Sequence, residues 1–509
     1  MKESMLLNSE FIPVEHVQNL RDVRRHGAVA ADRYSTADTS LVPLCVDLDG
    51  TLIKTDLLLE SFLALIKVNP LYFFSCCLWL MHGKAYLKAE IAKRVTLDAS
   101  LLPYNASITD LLLEERLQGR RLYLCTAADQ RLARDVAAHL GCFDGVFASD
   151  GSINLSSHNK ARVLTQEFGE QGFDYCGNAL ADLAIWQEAR NAIVVGGSRV
   201  ARAASRVNPN IRVVGHSGFS LKKVFKAMRV YQWVKNILIF VPLLTSHQFV
   251  EMAVMVPALI AFVSFSLCAS SVYLLNDMLD LDADRRHERK RNRPFASGDL
   301  ALSGGIALML VLMIGSLGLA LLLPLKFLMV LACYYVLTLA YSFALKKMML
   351  VDVFALAALY TSRVMAGGVA TEIPLSSWLI MFSITIFLSL AFVKRYTELD
   401  EKQRVGEATA AGRGYFTDDL SILRSFGTSS GYLAVIILAI YLNSPDSIML
   451  YSHRSALWGV FAILLFWVSW MWMSAFQGKM HDDPIVFALK DHTSLIAIAL
   501  IVLCMLIAI

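Results

Sequence analysis

Nine cysteines in 509 residues form no framework. Cys76 and Cys77 are adjacent, and Cys268, Cys333 and Cys504 lie in apolar runs, so neither a disulfide scaffold nor a paired-cysteine metal site is expected. Charge is also scarce, at 18% of residues against 56% hydrophobic, which is membrane-protein composition. The scarcity is uneven: residues 1–230 read as an ordinary soluble chain, whereas about Asn236 to Ile509 is a series of long apolar runs. The net charge of +4 gives no argument for nucleic acid, because the basic residues cluster beside apolar runs, where they fix orientation. The opening MKESMLLNSEFIPVEH lacks the apolar core of a signal peptide, which places the first domain in the cytoplasm. No internal repeat is evident, which disfavours a transporter or lipid-binding membrane protein with a regulatory soluble domain, since alternating access favours paired repeats.

What is present begins with a polar leader, 1–40, followed by LVPLCVDLDGTLIKTD at Leu41–Asp56. An apolar strand that delivers Asp47 and Asp49 just before the Gly50 turn suits phosphoryl transfer. The first acid can attack phosphorus, the second can act as general acid and base, and both can flank Mg²⁺. Further on, RLYLCTAAD at Arg121–Asp129 is a strand carrying Thr126, whose hydroxyl suits a phosphoryl group, and Lys160 follows a Gly/Ser/Asn-rich turn where it can neutralise developing charge. Residues 57–115 form a helical insertion. Within it PLYFFSCCLWLM, Pro70–Met81, is too short to span a bilayer and reads as a buried helix, with an interfacial contact as the sharper alternative.

The second cluster is NDMLDLDADRRHERKRNRP, Asn276–Pro294. Asp277, Asp280 and Asp284 are spaced three and four apart, which puts them on one face of a helix. Three acids on one face call for a cation, and Mg²⁺ carrying a diphosphate fits, because it takes one or two carboxylates plus phosphate oxygens. A simple charged stop signal needs no acids at helical spacing.

Nine spans are expected, at about 230–246, 251–275, 302–323, 326–345, 350–370, 376–393, 420–442, 448–473 and 491–508. The basic loops Lys222–Lys235, Arg285–Arg293, Lys346–Lys347, Lys394–Arg413 and Lys479–Lys490 then fall on one side, with the first domain, which is the cytoplasmic side of a cell inner membrane. Polar groups beside or inside the spans mark function more often than packing; Asp352, Tyr360, Arg363 (mid-span), Asp482 and Asp483 belong to this group.

The soluble half, about 41–215, resembles the haloacid dehalogenase-like (HAD) phosphatases through Asp47-Leu-Asp49-Gly-Thr, Thr126, Lys160 and FDYCGNALAD. That resemblance implies an α/β, Rossmann-like domain with a helical cap. It makes Asp47 the nucleophile, Asp49 the acid/base, Thr126 and Lys160 phosphate binders, and Asp47, Asp49, Asn178 and Asp182 the metal site. Asn178 departs from the family, which has Asp there. Residues 222–509 resemble the UbiA superfamily of intramembrane prenyltransferases through NDxxDxxxDxxHxxKxxRP, and its phosphoribosyltransferase branch through Gln232–Asn236, the KRYTEL of Lys394–Leu399 in place of a second Asp-rich motif, and GRGY at Gly412–Tyr415. This implies an all-α membrane domain of nine transmembrane helices, Mg²⁺ on Asp277, Asp280 and Asp284, and substrate binding by Gln232, Lys235, Asn236, Asn276, Lys290, Arg293, Lys394, Arg395 and Glu398. The implied donor is phosphoribosyl diphosphate and the acceptor a polyprenyl phosphate, with the HAD domain removing the 5-phosphate of the product. The alternative is transfer of an isoprenoid from its diphosphate to an aromatic or other small acceptor, against which the missing second Asp-rich motif argues.

Overall fold

A computed structural model describes residues 42–215, 220–404, 406, 414–480 and 483–509. The leader over 1–40, Gly412 and Arg413 of GRGY, and Asp482 lie outside them. The chain forms two compact units. One holds the described residues up to Met228 together with Leu274–Ala307; the other holds Arg229–Tyr273 and Leu308–Ile509. The Asp-rich stretch thus packs with the N-terminal part of the sequence.

The first unit is built on six parallel strands: β1 Leu44–Val46, β2 Leu122–Asp129, β3 Gly145–Ser149, β4 Asp174–Gly177, β5 Ala192–Val195 and β6 Ile211–Val214. Their order is β3-β2-β1-β4-β5-β6. β1 pairs with β2 on one side and β4 on the other, so the chain reverses its direction of strand addition between β1 and β4. In open α/β sheets that switch point opens a crevice at the carboxyl ends of the strands. β1 is apolar throughout because helices cover both faces. Leu44 and Val46 enter a core with Ile108, Leu111 and Leu112, while Cys45 enters the opposite one with Leu164, Phe173 and Trp186. Side-chain caps set the helix starts: Asp56 accepts from Leu59 N at 3.0 Å at the head of Leu57–Val68, and Asp129 accepts from Arg131 N at 3.0 Å at the head of Gln130–Leu140.

The insertion is helical, as Leu57–Val68, Tyr72–Met81, Lys84–Ala92 and Ala106–Leu117. The expectation of a buried helix at 70–81 fails. In Tyr72–Met81 only Cys76 is buried, while Phe74 is 66% and Met81 82% exposed. The run is apolar on every side, so one face packs and the others are left over.

The remainder of this unit comes from the Asp-rich stretch. The helix Met252–Leu279 ends just before Asp280, and a short helix follows at Leu281–Arg286. Phe295, fully buried, lies against Gly305, where an added Cβ would stand 2.5 Å from its ring.

Among the described residues, seven helices are long and apolar enough to cross a membrane: Met252–Leu279, Leu302–Ala320, Leu325–Phe343, Val351–Ala370, Ser377–Arg404, Thr417–Leu442 and Arg454–Phe476. The other two of the nine expected spans are shorter apolar segments, Val230–Thr245 and His492–Ala508. In the former, Val230–Phe240 winds as a 3₁₀ helix, which rises about 2.0 Å per residue and so reaches further than an α-helix of equal length. Its backbone lies directly on Gly367, where any Cβ would strike the Ile239 carbonyl. Val351–Ala370 is the most enclosed of the seven, with 72% of its apolar window buried against 22% for Leu302–Ala320. Small residues let the helices close up: Gly427 lies under Trp472, whose Nε1 donates to Ser389 Oγ at 3.1 Å.

Candidate functional site

At the switch point of the sheet, β1 passes directly into Asp47, whose backbone N–H donates to the Cys176 carbonyl of β4 at 2.9 Å. Lys160, at the start of the helix His158–Phe168, reaches across and donates from Nζ to Asp47 Oδ1 at 2.7 Å and to the Tyr175 hydroxyl at 2.8 Å. Tyr175 in turn donates to Asp182 Oδ1 at 3.3 Å. Thr126 is fully buried in β2, and its Oγ1 accepts from Ala128 N at 2.9 Å. Asp47, Lys160, Tyr175 and Asp182 therefore form one buried hydrogen-bonded chain, while the Thr126 hydroxyl is engaged locally in β2. Tyr175 carried no signal in the sequence, because a tyrosine in an apolar strand reads as core.

Asp49 accepts from Leu57 N at 2.8 Å, and burial together with the Asp56 and Asp47 charges pushes its carboxyl up to about 8. Burial and the Asp47 charge push Asp182 up to about 6 against the pull of Lys160. Burial lowers the Lys160 ammonium, but Asp47 and Asp182 outweigh it and leave it raised. Asp182 spends Oδ2 on the backbone N–H groups of Asn178, at 3.1 Å, and Ala179, at 2.9 Å, so it shapes the loop after β4. Asn178 leans on Gly50, which takes φ +74° and leaves no room for a side chain there. From the insertion, Lys88 donates to the Ala127 carbonyl at 2.6 Å and to Asn154 at 2.9 Å, a link the sequence did not signal.

The Asp-rich stretch divides its three acids. Arg293 Nη1 bridges Asp277, at 3.1 Å, and Asp284, at 2.6 Å. Asp280, at the helix break, instead pairs with Lys67 of the insertion at 2.8 Å. The expected single helical face is not formed, because the helix ends at Leu279 and Asp280 turns with the backbone; Asp277 and Asp284, on successive helices, are linked by Arg293. Asn276 is half-buried and its carbonyl accepts from Asp280 N at 3.0 Å; Lys290 is exposed. Burial raises the Asp284 carboxyl against the opposing charge of Arg293. Among the described residues no group of three or more His, Cys, Asp or Glu is arranged to hold a metal. Two converging carboxylates nevertheless match what Mg²⁺ takes when phosphate oxygens complete its shell.

In the second unit, Asp483 is the centre of a polar cluster. Lys235 donates to it at 2.7 Å, Lys394 at 3.4 Å and the Tyr360 hydroxyl at 3.1 Å. Burial pushes the Asp483 carboxyl up, but the charges of Lys394 and Lys235 prevail and hold it well below the usual carboxylate range. Arg363, buried mid-span, donates to Asn236 at 2.8 Å and lies over the rings of Tyr334 and Tyr360. Asn236 also donates to Ser266 at 2.9 Å. Arg395 pairs with buried Asp352 at 2.7 Å and with Glu398, and Tyr415 of GRGY donates to Asp352 at 2.5 Å. Gln232 is half-buried three residues before Lys235. Lys235, Asn236 and Lys394 are thus gathered in one network, and Arg395 and Glu398 in the next.

Residues 237–495 match the model of the UbiA prenyltransferase family. The chain belongs to that family. An uncharacterised protein, y4nM, of Sinorhizobium fredii is 36% identical over 89% of this chain and 88% of its own length. The decaprenyl-phosphate phosphoribosyltransferase of Mycobacterium tuberculosis (strain H37Rv) is 33% identical over 54% of this chain and 91% of its own. A UbiA homologue from Archaeoglobus fulgidus, solved with GPP and Mg²⁺, is similar at 13% identity with a TM-score of 0.43, covering 56% of this chain and 99% of that one. As a UbiA-family chain with seven membrane-length helices, this is a multi-pass membrane transferase.

Proposed function

We propose that the membrane part transfers 5-phosphoribosyl from phosphoribosyl diphosphate to a polyprenyl phosphate, at the cytoplasmic face of the cell inner membrane. The observation that carries this reading is the 33% identity to decaprenyl-phosphate phosphoribosyltransferase over 91% of that enzyme. The acid-poor KRYTEL stretch supports it, since a second acidic cluster is missing where a prenyl diphosphate would be held. A lipid phosphate oxygen attacks ribose C1, and the C1–O bond to the diphosphate breaks with its electron pair leaving on the diphosphate. Asp277 and Asp284, with Asp280 beside them, are the residues that would hold Mg²⁺, which when bound neutralises the leaving group. Lys235 and Lys394, kept together by Asp483, suit an anionic substrate group, and Arg293 suits bidentate phosphate recognition.

The buried Asp47–Lys160 pair favours a second activity, phosphomonoester hydrolysis of HAD type, acting on the 5-phosphate of the lipid product. Asp47 is the nucleophile toward phosphorus, Asp49 the proton donor to the leaving oxygen, and Lys160 the countercharge. Asn178 at the metal side is neutral, so Asp47 and Asp49 carry the metal's charge complement. Membranes given labelled phosphoribosyl diphosphate test both steps. Label should enter the lipid extract, Asp280→Asn should abolish that, and Asp47→Asn should leave transfer intact while the 5-phosphate is retained. Absence of label in lipid with the native chain would refute the transfer.

A further inference from the structure

The helix Tyr72–Met81 is an exposed apolar element in a unit that otherwise has an ordinary α/β core. Leu71, Phe73, Phe74, Leu78, Leu80 and Met81 are all at least 49% exposed. The cluster beneath it is small, with Cys76, Leu65, Ile91 and Val95 as its buried members. Ten residues at 1.5 Å each reach about 15 Å, half of what a bilayer span needs, so the helix cannot cross. A helix bound by another protein shows an apolar stripe and a polar back, whereas this one is apolar all round.

From Ser61 to Ala89 there is no Asp or Glu. Of the three lysines in that stretch, Lys84 stands exposed just past the helix, while Lys67 pairs with Asp280 and Lys88 donates to Ala127 and Asn154. Tyr72, Trp79 and Tyr86 add amphipathic rings of the kind that settle at headgroup level. Arg94 lies over the Trp79 ring at 4.7 Å and is paired with Glu90 at 2.6 Å, so its charge is spent within the fold.

We infer that Pro70–Met81 lies in the interface of the bilayer, its apolar side chains in the headgroup–acyl boundary and the exposed Lys84 beside it at the phosphates. Interfacial helices of this kind sit about 5–10 Å into that boundary. The occupant is lipid rather than a second copy of the chain, because the apolar surface covers more than one face and the same chain carries seven helices of membrane-crossing length, which hold it at a bilayer. The surface would bring the phosphate crevice to a membrane-held substrate.

Cys77, exposed in the middle of this helix, supplies the probe position. In the full chain with Cys333→Ser and Cys504→Ser, the Cys77 thiol is labelled with an environment-sensitive fluorophore and the protein is placed in phosphatidylglycerol/phosphatidylethanolamine vesicles. Doxyl groups near the lipid glycerol should quench the label, and aqueous iodide should quench it about threefold less than a label at Arg202→Cys on the exposed helix Ser198–Val207. Phe73→Ser/Phe74→Ser/Leu78→Ser, which removes exposed side chains only, should restore iodide access and leave the melting temperature unchanged. Equal iodide access at both positions overturns the inference. So does a label shielded from iodide yet untouched by doxyl lipid and crosslinked between chains, which would mark a protein interface instead.

Discussion

Arg285 donates from Nη1 to Glu60 Oε2 at 3.0 Å and from Nη2 to Glu60 Oε1 at 2.5 Å, and both side chains are essentially inaccessible to solvent. The partners are 225 residues apart. Arg285 also donates from Nε to the Ala296 carbonyl at 3.0 Å, so one guanidinium holds the insertion helix and both arms of the Asp-rich loop. A forked pair of this kind fixes direction as well as distance.

Breaking that pair from one side should be costly. Glu60→Ala leaves a buried guanidinium uncompensated, for which a loss of about 3–5 kcal/mol is expected. Glu60→Leu/Arg285→Met, apolar on both sides, should recover most of it. Melting of the purified protein followed by size-exclusion fluorescence checks the order: the single variant well below native, the double variant between them. If the double variant melts no higher than the single, the pair is not an isolated two-body contact.

Lys67 and Asp280 are a looser matter. Both side chains are substantially exposed, at 41% and 30%, so their pair contributes only about 0.2–1 kcal/mol. The ammonium nevertheless sits on the carboxylate that Mg²⁺ with a diphosphate would want. Lys67→Ala should leave the melting temperature nearly unchanged, yet lower the Mg²⁺ concentration for half-maximal phosphoribosyl transfer by a few fold. An unchanged Mg²⁺ dependence would show that Asp280 does not share its charge with the metal.

Much of the first unit was legible because its chemistry is local. An apolar strand running into Asp47 and Asp49 needs only adjacent residues, and the caps at Asp56 and Asp129 do too. Lys160 is legible as a cation after a turn, whereas its pairing with Asp47, 113 residues away, is a tertiary contact. Glu60 and Lys67 are not legible, since both lie inside an amphipathic helix and their partners are more than 200 residues away. The run at 70–81 misled for a physical reason: apolar composition specifies removal from water without saying what removes it. The 3₁₀ winding of Val230–Phe240 was not legible because hydropathy does not report winding, and the close approach to Gly367 is a tertiary event.

Acid should loosen the sheet unit through Asp174. Burial raises its carboxyl, but hydrogen bonds from Arg190 and Asn191 and the charge of Arg120 outweigh this and leave it lowered. A depressed folded-state value means that the stabilisation is complete above the unfolded carboxylate range, near about pH 4, and drains away as pH falls through the folded value. Asp174→Asn should therefore weaken the unit at pH 7 and flatten its acid dependence below about pH 4. Thermal melts across that range are the check, with parallel native and variant curves counting against the assignment.

Asp483 should matter more than a loop carboxylate ordinarily does. It is the shared acceptor of Lys235, Lys394 and Tyr360, and its side chain is only 9% exposed. Asp483→Ala leaves two ammonium groups facing each other without a counter-charge, which should destabilise the helix bundle by about 3–5 kcal/mol. Asp483→Asn leaves one acceptor oxygen for these donors and removes the charge, so its fold should survive better than that of Asp483→Ala while the lysines spread. If those lysines grip the phosphates of the donor, Asp483→Asn should raise KM for phosphoribosyl diphosphate several fold with a smaller change in kcat. An unaltered KM would separate the cluster from substrate binding and leave it a purely structural clasp between Val230–Phe240, Ser377–Arg404 and the segment at Pro484–Ala488.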